Sequence, residues 1–176
     1  MTKQYYVIDL TRCTGCQACS IACKDRAGLP DDLDWLRVEA AERGDYPVPA
    51  FYYRVIHCFH CSEPPCVDAC PATAIFRHAN EWVQIDASLC TGCGACLEAC
   101  PFSAIVMGSE GVATKCDGCA DEVGQGWGPT CVRACPMRAL GYGPETHTLS
   151  GNRARDQEFQ DHGTVPSVSY LRRPGR

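Results

Sequence analysis

Cys90-Thr91-Gly92-Cys93-Gly94-Ala95-Cys96-Leu97-Glu98-Ala99-Cys100-Pro101 carries four cysteines in the register C-x2-C-x2-C-x3-C and closes on proline. That register is the bacterial ligand run of a [4Fe–4S] cluster, and proline at its end redirects the chain. The same spacing recurs at Cys13, Cys16, Cys19 and Cys23, where Lys24 stands in place of the proline. Two further quartets, Cys58, Cys61, Cys66, Cys70 and Cys116, Cys119, Cys131, Cys135, open on C-x2-C, stretch the middle spacing and again end in Cys-Pro. These groups use all sixteen cysteines of the 176 residues. The sequence thus predicts four [4Fe–4S] clusters and a protein that moves electrons.

Other uses of so much cysteine fit less well. A disulfide scaffold has irregular spacing, whereas these residues repeat a ligand register and no secretory apolar segment precedes Cys13. Zinc also uses paired C-x2-C motifs, and competes best at the fourth quartet, but it has no need of a third cysteine two residues on. No run of 18 apolar residues is present, so no membrane-spanning helix is expected. The net charge is −5, with no basic block before the C-terminal end, which argues against nucleic acid as a partner. There is no phosphate-binding loop, dinucleotide fingerprint or catalytic triad. Any substrate chemistry is therefore expected in another subunit, and the metal-free chain, with few aliphatic residues for a core, is expected to be largely unfolded.

Two internal repeats order the chain. Tyr6-Val7-Ile8-Asp9 leading to Cys13 matches Val83-Gln84-Ile85-Asp86 leading to Cys90; each is a strand, a turn and Cys-Thr-Gly-Cys. Pro65-Cys66-Val67-Asp68-Ala69-Cys70-Pro71 matches Thr130-Cys131-Val132-Arg133-Ala134-Cys135-Pro136. In two-cluster ferredoxins the fourth cysteine of each run ligates the other cluster. The expected fold is therefore α+β, with two nested ferredoxin-like units, long loops and an extended C-terminal tail. Residues 1–50 with 106–144 form the outer unit, 51–105 the inner unit, and 145–176 the tail. One outer cluster takes Cys13, Cys16 and Cys19 with Cys135, and its neighbour takes Cys116, Cys119 and Cys131 with Cys23. In the inner unit Cys58, Cys61 and Cys66 join Cys100, and Cys90, Cys93 and Cys96 join Cys70. Pairing quartets one with two and three with four is the alternative.

Helical turns are expected at 18–27 and 95–100, strands at 52–56, 81–85 and 112–115, and a surface or partner-facing insertion at 28–49, with Trp35 as local core. His57 and His60, beside a complete quartet, are expected to donate hydrogen bonds or meet solvent. Tyr52, Tyr53, Trp82 and Trp127 should pack on cluster edges. Arg12, Lys24, Lys115, Arg133 and Arg138 are placed to offset cluster charge. Residues 145–176 lack periodicity and read as an interaction arm whose contacts are Tyr170, Leu171, Arg172 and Arg173.

Arg12-Cys13-Thr14-Gly15-Cys16, the Cys58 to Pro71 quartet, the 90–100 run, and above all Thr114-Lys115-Cys116-Asp117-Gly118-Cys119 with Cys131-Val132-Arg133-Ala134-Cys135-Pro136-Met137-Arg138-Ala139-Leu140, resemble the iron–sulfur electron-transfer subunits of the dimethyl sulfoxide reductase type. The resemblance implies docking on a molybdenum- or tungsten-pterin catalytic subunit, with the Cys13, Cys16, Cys19 cluster nearest to it and the Cys90, Cys93, Cys96 cluster distal. A flavin or membrane-anchor subunit and a higher-order assembly are further partners such subunits take. Related subunits serve hydrogenases and carbon monoxide dehydrogenases, and a cluster-stabilised scaffold is the alternative role. The expected location is the cytoplasm, or the periplasm if the chain is exported with a signal-bearing partner.

Overall fold

The computed structural model describes residues 3–78, 81–144 and 153–174. The first strand, β1 (Tyr5–Asp9), buries Tyr6 and Ile8 and turns its alternate residues outward, the period-two pattern of a half-buried strand. It pairs antiparallel with β8 (Leu140–Gly143) and parallel with β10 (Val168–Arg172), and β9 (Ala154–Arg155) completes the order β8-β1-β10-β9. One sheet therefore gathers strands from near both ends of the chain.

Between β1 and β8 lie three two-stranded ribbons and five short helices. The ribbons are β2 (Arg37–Arg43) with β3 (Ala50–Ile56), β4 (Ile75–Arg77) with β5 (Val83–Ile85), and β6 (Ile105–Met107) with β7 (Ala113–Lys115). The helices follow the ligand loops: α1 (Ala18–Ala27), α2 (Pro65–Asp68), α3 (Ala95–Ala99), α4 (Ala120–Gly124) and α5 (Thr130–Ala134). Helix α1 runs past Cys23 because no proline stops it, and Gly28 ends it in the left-handed conformation. Helix α1 packs on α5, and α2 on α3.

All three core clusters contain cysteine. Cys19, Cys23, Cys131 and Cys135 join Tyr6, Ile8, Val55, Phe59 and Trp82; Cys66 and Cys96 join Ile75, Val83 and Ile105; Cys58 and Cys116 pack with Ala104. Each fully buried large apolar side chain contributes about 1.5–3 kcal/mol, and few are available here, so the spaces between the thiols need filling if the core is to be close-packed.

The structure departs from the sequence expectations in several places. The 28–49 insertion contributes β2, buries Leu33 and Leu36, and half-buries Trp35, whose indole N–H donates to the Thr114 hydroxyl at 3.0 Å. The boundary expected at 105/106 falls inside the β6–β7 hairpin, and β3, assigned by sequence to the inner unit, supplies Val55 to the cavity around Cys13. The tail differs most. Part of it, 145–152 and 175–176, lies outside the described residues, but Tyr170 and Leu171 are buried within the protein and do not face outward. The Tyr170 hydroxyl donates to the Val55 carbonyl at 2.6 Å, and its ring meets Phe159, which meets Phe59. Arg172 turns to Asp156 and Glu158, so of the four expected contacts Arg173 alone is exposed. Sequence periodicity missed β10 because both its strand partners and its covering rings come from remote segments.

Tyr170→Ala in the iron-loaded protein is expected to cost about 3–5 kcal/mol and lower the thermal midpoint, as large-to-small aromatic changes in cores do. Tyr170→Phe should cost about 1–3 kcal/mol, because it leaves the Val55 carbonyl without its donor, and Arg173→Ala almost nothing. Calorimetry of the three variants checks the order.

Candidate iron–sulfur centres

Each quartet begins with a tight loop whose third residue has positive φ: Gly15 at 69°, His60 at 46°, Gly92 at 69° and Gly118 at 71°. Successive backbone N–H groups in such loops turn toward one concavity, the geometry that favours an anionic group. Gly92 has a second reason to be glycine, since a Cβ there would lie 2.2 Å from the Gly111 carbonyl oxygen. After each of the three Cys-Pro pairs the chain makes the same turn: Thr73, Ser103 and Arg138 have positive φ and donate their N–H to the carbonyls of Cys70, Cys100 and Cys135.

The cysteines meet across these loops. One cavity is lined by Cys13, Cys16 and Cys19 together with Cys135, and walled by Val38, Val55 and Leu140. A second is lined by Cys90, Cys93 and Cys96 with Cys70, and walled by Ile75 and Ala113. Thiol electrostatics bring out the other two sets. Burial pushes the Cys66 thiol up to about 12 and Cys61 to about 11, with Cys58 and Cys100 adding to both. Burial likewise pushes Cys23 up to about 12, with Cys119 the leading thiol neighbour. Cys116 is raised by burial and then by Cys23, and Cys131 by burial and then by Cys119 and Cys23. Cys58 also raises Cys116, with which it packs, so these last two sets are neighbours.

All-thiolate quartets in apolar surroundings fit [4Fe–4S] clusters. Among the described residues, no group of three or more His, Cys, Asp or Glu is drawn together tightly enough to grip a single ion. A four-iron cluster takes its thiolates at separate corners, so thiols ringing a cavity are the arrangement it needs. Backbone N–H groups also point at sulfur: Ala113 to Cys90 and Gly118 to Cys116, both at 3.4 Å, and Ala139 to Cys135 at 3.3 Å. Such hydrogen bonds are among the features that set cluster potentials.

Exposure separates the sets. Cys16 and Cys93 are exposed, whereas Cys58, Cys66, Cys116, Cys119 and Cys131 are buried. The first and third quartets thus each reach the surface at one cysteine, and no cysteine of the second or fourth is exposed.

The flanking residues correct several expectations. His57 and His60 are both buried and meet no solvent. Burial holds the His57 ring down at about 4, and its Nδ1 lies 2.7 Å from the Cys58 carbonyl; burial holds His60 neutral as well, edge-on to Trp82. Tyr53 packs on Gly15, but Trp127 is 58% exposed beneath Arg133. Lys24 turns away to the Asp31 carbonyl and Asp34. The cation beside Cys23 is Arg26, which sequence reading overlooked; it joins α1 to the fourth quartet through Asp117, Asp121 and Glu122. The clue in the sequence was its place one helical turn beyond Cys23.

Gly92→Ala is expected to abolish loading of one cluster, read as iron per chain and loss of one reduced-state electron paramagnetic resonance signal. Gly94→Ala, also at positive φ but with open space at its Cβ, should cost roughly 1 kcal/mol and keep all signals. The raised thiols give a pH prediction. A folded-state value above the ordinary 9.0 stabilises the metal-free fold below pH 9, and that contribution is lost as pH rises toward about 12. Residual structure in the metal-free chain should melt over that range while the iron-loaded chain, its thiolates already bound, holds; far-ultraviolet circular dichroism compares them.

The chain matches the 4Fe-4S dicluster domain family over residues 49–145 and a 4Fe-4S binding domain family over 10–27. It is 37% identical to the B subunit of the anaerobic dimethyl sulfoxide reductase of Escherichia coli K12 and 37% identical to YnfG, a probable anaerobic dimethyl sulfoxide reductase subunit of the same organism, each over 98% of this chain and 84% of the relative. It is 40% identical to the thiosulfate reductase electron transfer subunit PhsB of Salmonella typhi, over 81% of this chain and 77% of that one. With its four thiol quartets and these relatives, the chain belongs to the iron–sulfur electron-transfer subunits of the dimethyl sulfoxide reductase type.

Proposed function

We propose that this chain carries electrons through four [4Fe–4S] clusters to or from a molybdenum- or tungsten-pterin catalytic subunit of a multisubunit oxidoreductase. The observation that carries the reading is the pattern of exposure: Cys16 of one quartet and Cys93 of another are exposed, whereas no cysteine of the other two quartets is. When bound, each cluster supplies a one-electron redox centre. The chain's own residues do the rest. Apolar walls exclude water, N–H groups directed at Cys90, Cys116 and Cys135 favour the more negative state, and the exposed Cys16 and Cys93 loops mark the two ends at which partners would exchange electrons.

The crossed ligand sets belong to this proposal. Cys135 closes the quartet of Cys13, Cys16 and Cys19; Cys23 that of Cys116, Cys119 and Cys131; Cys100 that of Cys58, Cys61 and Cys66; and Cys70 that of Cys90, Cys93 and Cys96. The shared cavities and the packing of α1 on α5 and α2 on α3 support nested units, with the β6–β7 hairpin and β3 reassigned as their contacts require. The Cys16 end is oriented toward the catalytic subunit and the Cys93 end toward the next acceptor or donor. The relatives are named for dimethyl sulfoxide and thiosulfate reductases, which favours a reductase complex. Among the described residues no helix is long and apolar enough to cross a membrane. A cytoplasmic site of action is part of the same reading.

The test is to isolate the complex from its native host, quantify iron, molybdenum and tungsten per copy of this chain, and titrate its reduced signals. Full iron with molybdenum or tungsten supports the assignment; full iron with neither metal removes the pterin partner. For the ligand sets, Cys70→Ser and Cys96→Ser should alter one and the same signal, and Cys100→Ser and Cys61→Ser a different shared one. If Cys70→Ser and Cys61→Ser alter the same signal, the crossed sets are wrong.

A further inference from the structure

Of the five cations that the sequence places near the cysteines, four are compensated or exposed. Lys24 is paired with Asp34, Arg133 with Glu122, and Arg12 and Arg138 are open to solvent. Lys115 differs. It ends β7, directly before Cys116, and is 4% exposed. Its ammonium group points inward, donating to the Val83 carbonyl on β5 and, at 3.0 Å, to the Cys116 carbonyl. Among the described residues no carboxylate forms an ion pair with it. Arg26, the other cation close to a thiol quartet, faces three carboxylates and brings no uncompensated charge.

A buried ammonium held only by two carbonyl dipoles is costly, and such groups persist where an opposite charge compensates them. The groups around Lys115 show where that charge would be. The ammonium group lies near Cys66 of the second quartet. The buried His60, in the loop of that quartet, lies near it as well. Cys58 and Cys116 pack together across the same region with Ala104. Lys115 therefore stands at the junction of the second and fourth quartets, where an electron would pass between the inner and outer units.

We propose that Lys115 is the fixed counter-charge at this junction, stabilising the reduced state of the cluster held by Cys58, Cys61, Cys66 and Cys100 and so setting the electron step between the two units. The inference rests on the crossed ligand sets proposed above. Lys115 acts as a positioning residue: its two carbonyl bonds hold the charge in place, and the charge acts on the cluster without ligating it.

The experiment compares Lys115→Gln, which keeps an N–H donor and loses the charge, with Lys115→Arg, which keeps the charge. Each is introduced into the intact complex, and the midpoint potentials of all four clusters are titrated by electron paramagnetic resonance alongside iron content. Lys115→Gln is expected to lower the reduction equilibrium constant of one cluster about tenfold, roughly 59 mV for a one-electron couple, with smaller shifts in the others and recovery in Lys115→Arg. The shifted signal should be the one altered by Cys61→Ser. Unchanged potentials in Lys115→Gln, equal shifts in both variants, or a shift confined to the cluster of Cys13, Cys90 or Cys116 would overturn the proposal. If Lys115→Gln fails to take up full iron, retention of iron in Lys115→Arg supports a counter-charge and loss in both overturns it. A wild-type complex without four reducible clusters would instead sink the electron-transfer reading itself.

Discussion

Thiol burial is the constraint on which the rest of this structure depends. The three core clusters are built around cysteine side chains, which in the absence of iron would be small, protonated and separated by space. Burial pushes several of them to about 11 or 12, so ionisation inside the fold is unfavourable until a metal centre takes the charge. Loading and packing are thereby one process. The helices are too short to be stable alone, and α2 to α5 span only four or five residues each. Four of the five carry a buried cysteine, and α4 is capped by one, so their packing depends on the thiols.

Around that constraint the remaining interactions tie loops to one another. The four-stranded sheet joins β1, which leads into the first quartet, to β8, which leaves the fourth, and β10 then runs parallel to β1. Parallel neighbours require a long crossover, and here almost the whole cluster-bearing segment is that crossover. Asp156, deeply buried, is held between Arg54 at 2.8 Å and Arg172 at 3.3 Å, which fastens the tail to β3. The tail thus clamps the wall of one quartet, through Val55, and the loop of another, through Phe59.

Charge is distributed unevenly over this frame. The surface carries Arg–carboxylate pairs such as Arg43 with Glu158 and Arg77 with Glu81, which contribute little each. The interior holds neutral imidazoles at His57 and His60 and an ammonium at Lys115. A long-range positive charge matters most where solvent does not screen it, so position, more than the number of cations, decides which of them bears on the redox centres.

The sequence by itself determined the four cysteine quartets, the strand–loop–helix repeat around each Cys-x2-Cys, the extension of α1 past Cys23, and the family, because these depend on spacing along a few neighbouring residues and on glycine or proline at fixed offsets. It did not reveal β2 and β10, the burial of His57, His60 and Lys115, or the ion pairs of Arg26. Strand β10 has no alternation to read, since β1 and β9 flank it and aromatic rings from residues 59 and 159 cover it. Arg26 finds its carboxylates 91 and 95 positions away. Which cations are screened and which are buried is a property of how the units close on one another, and only the tertiary structure decides that.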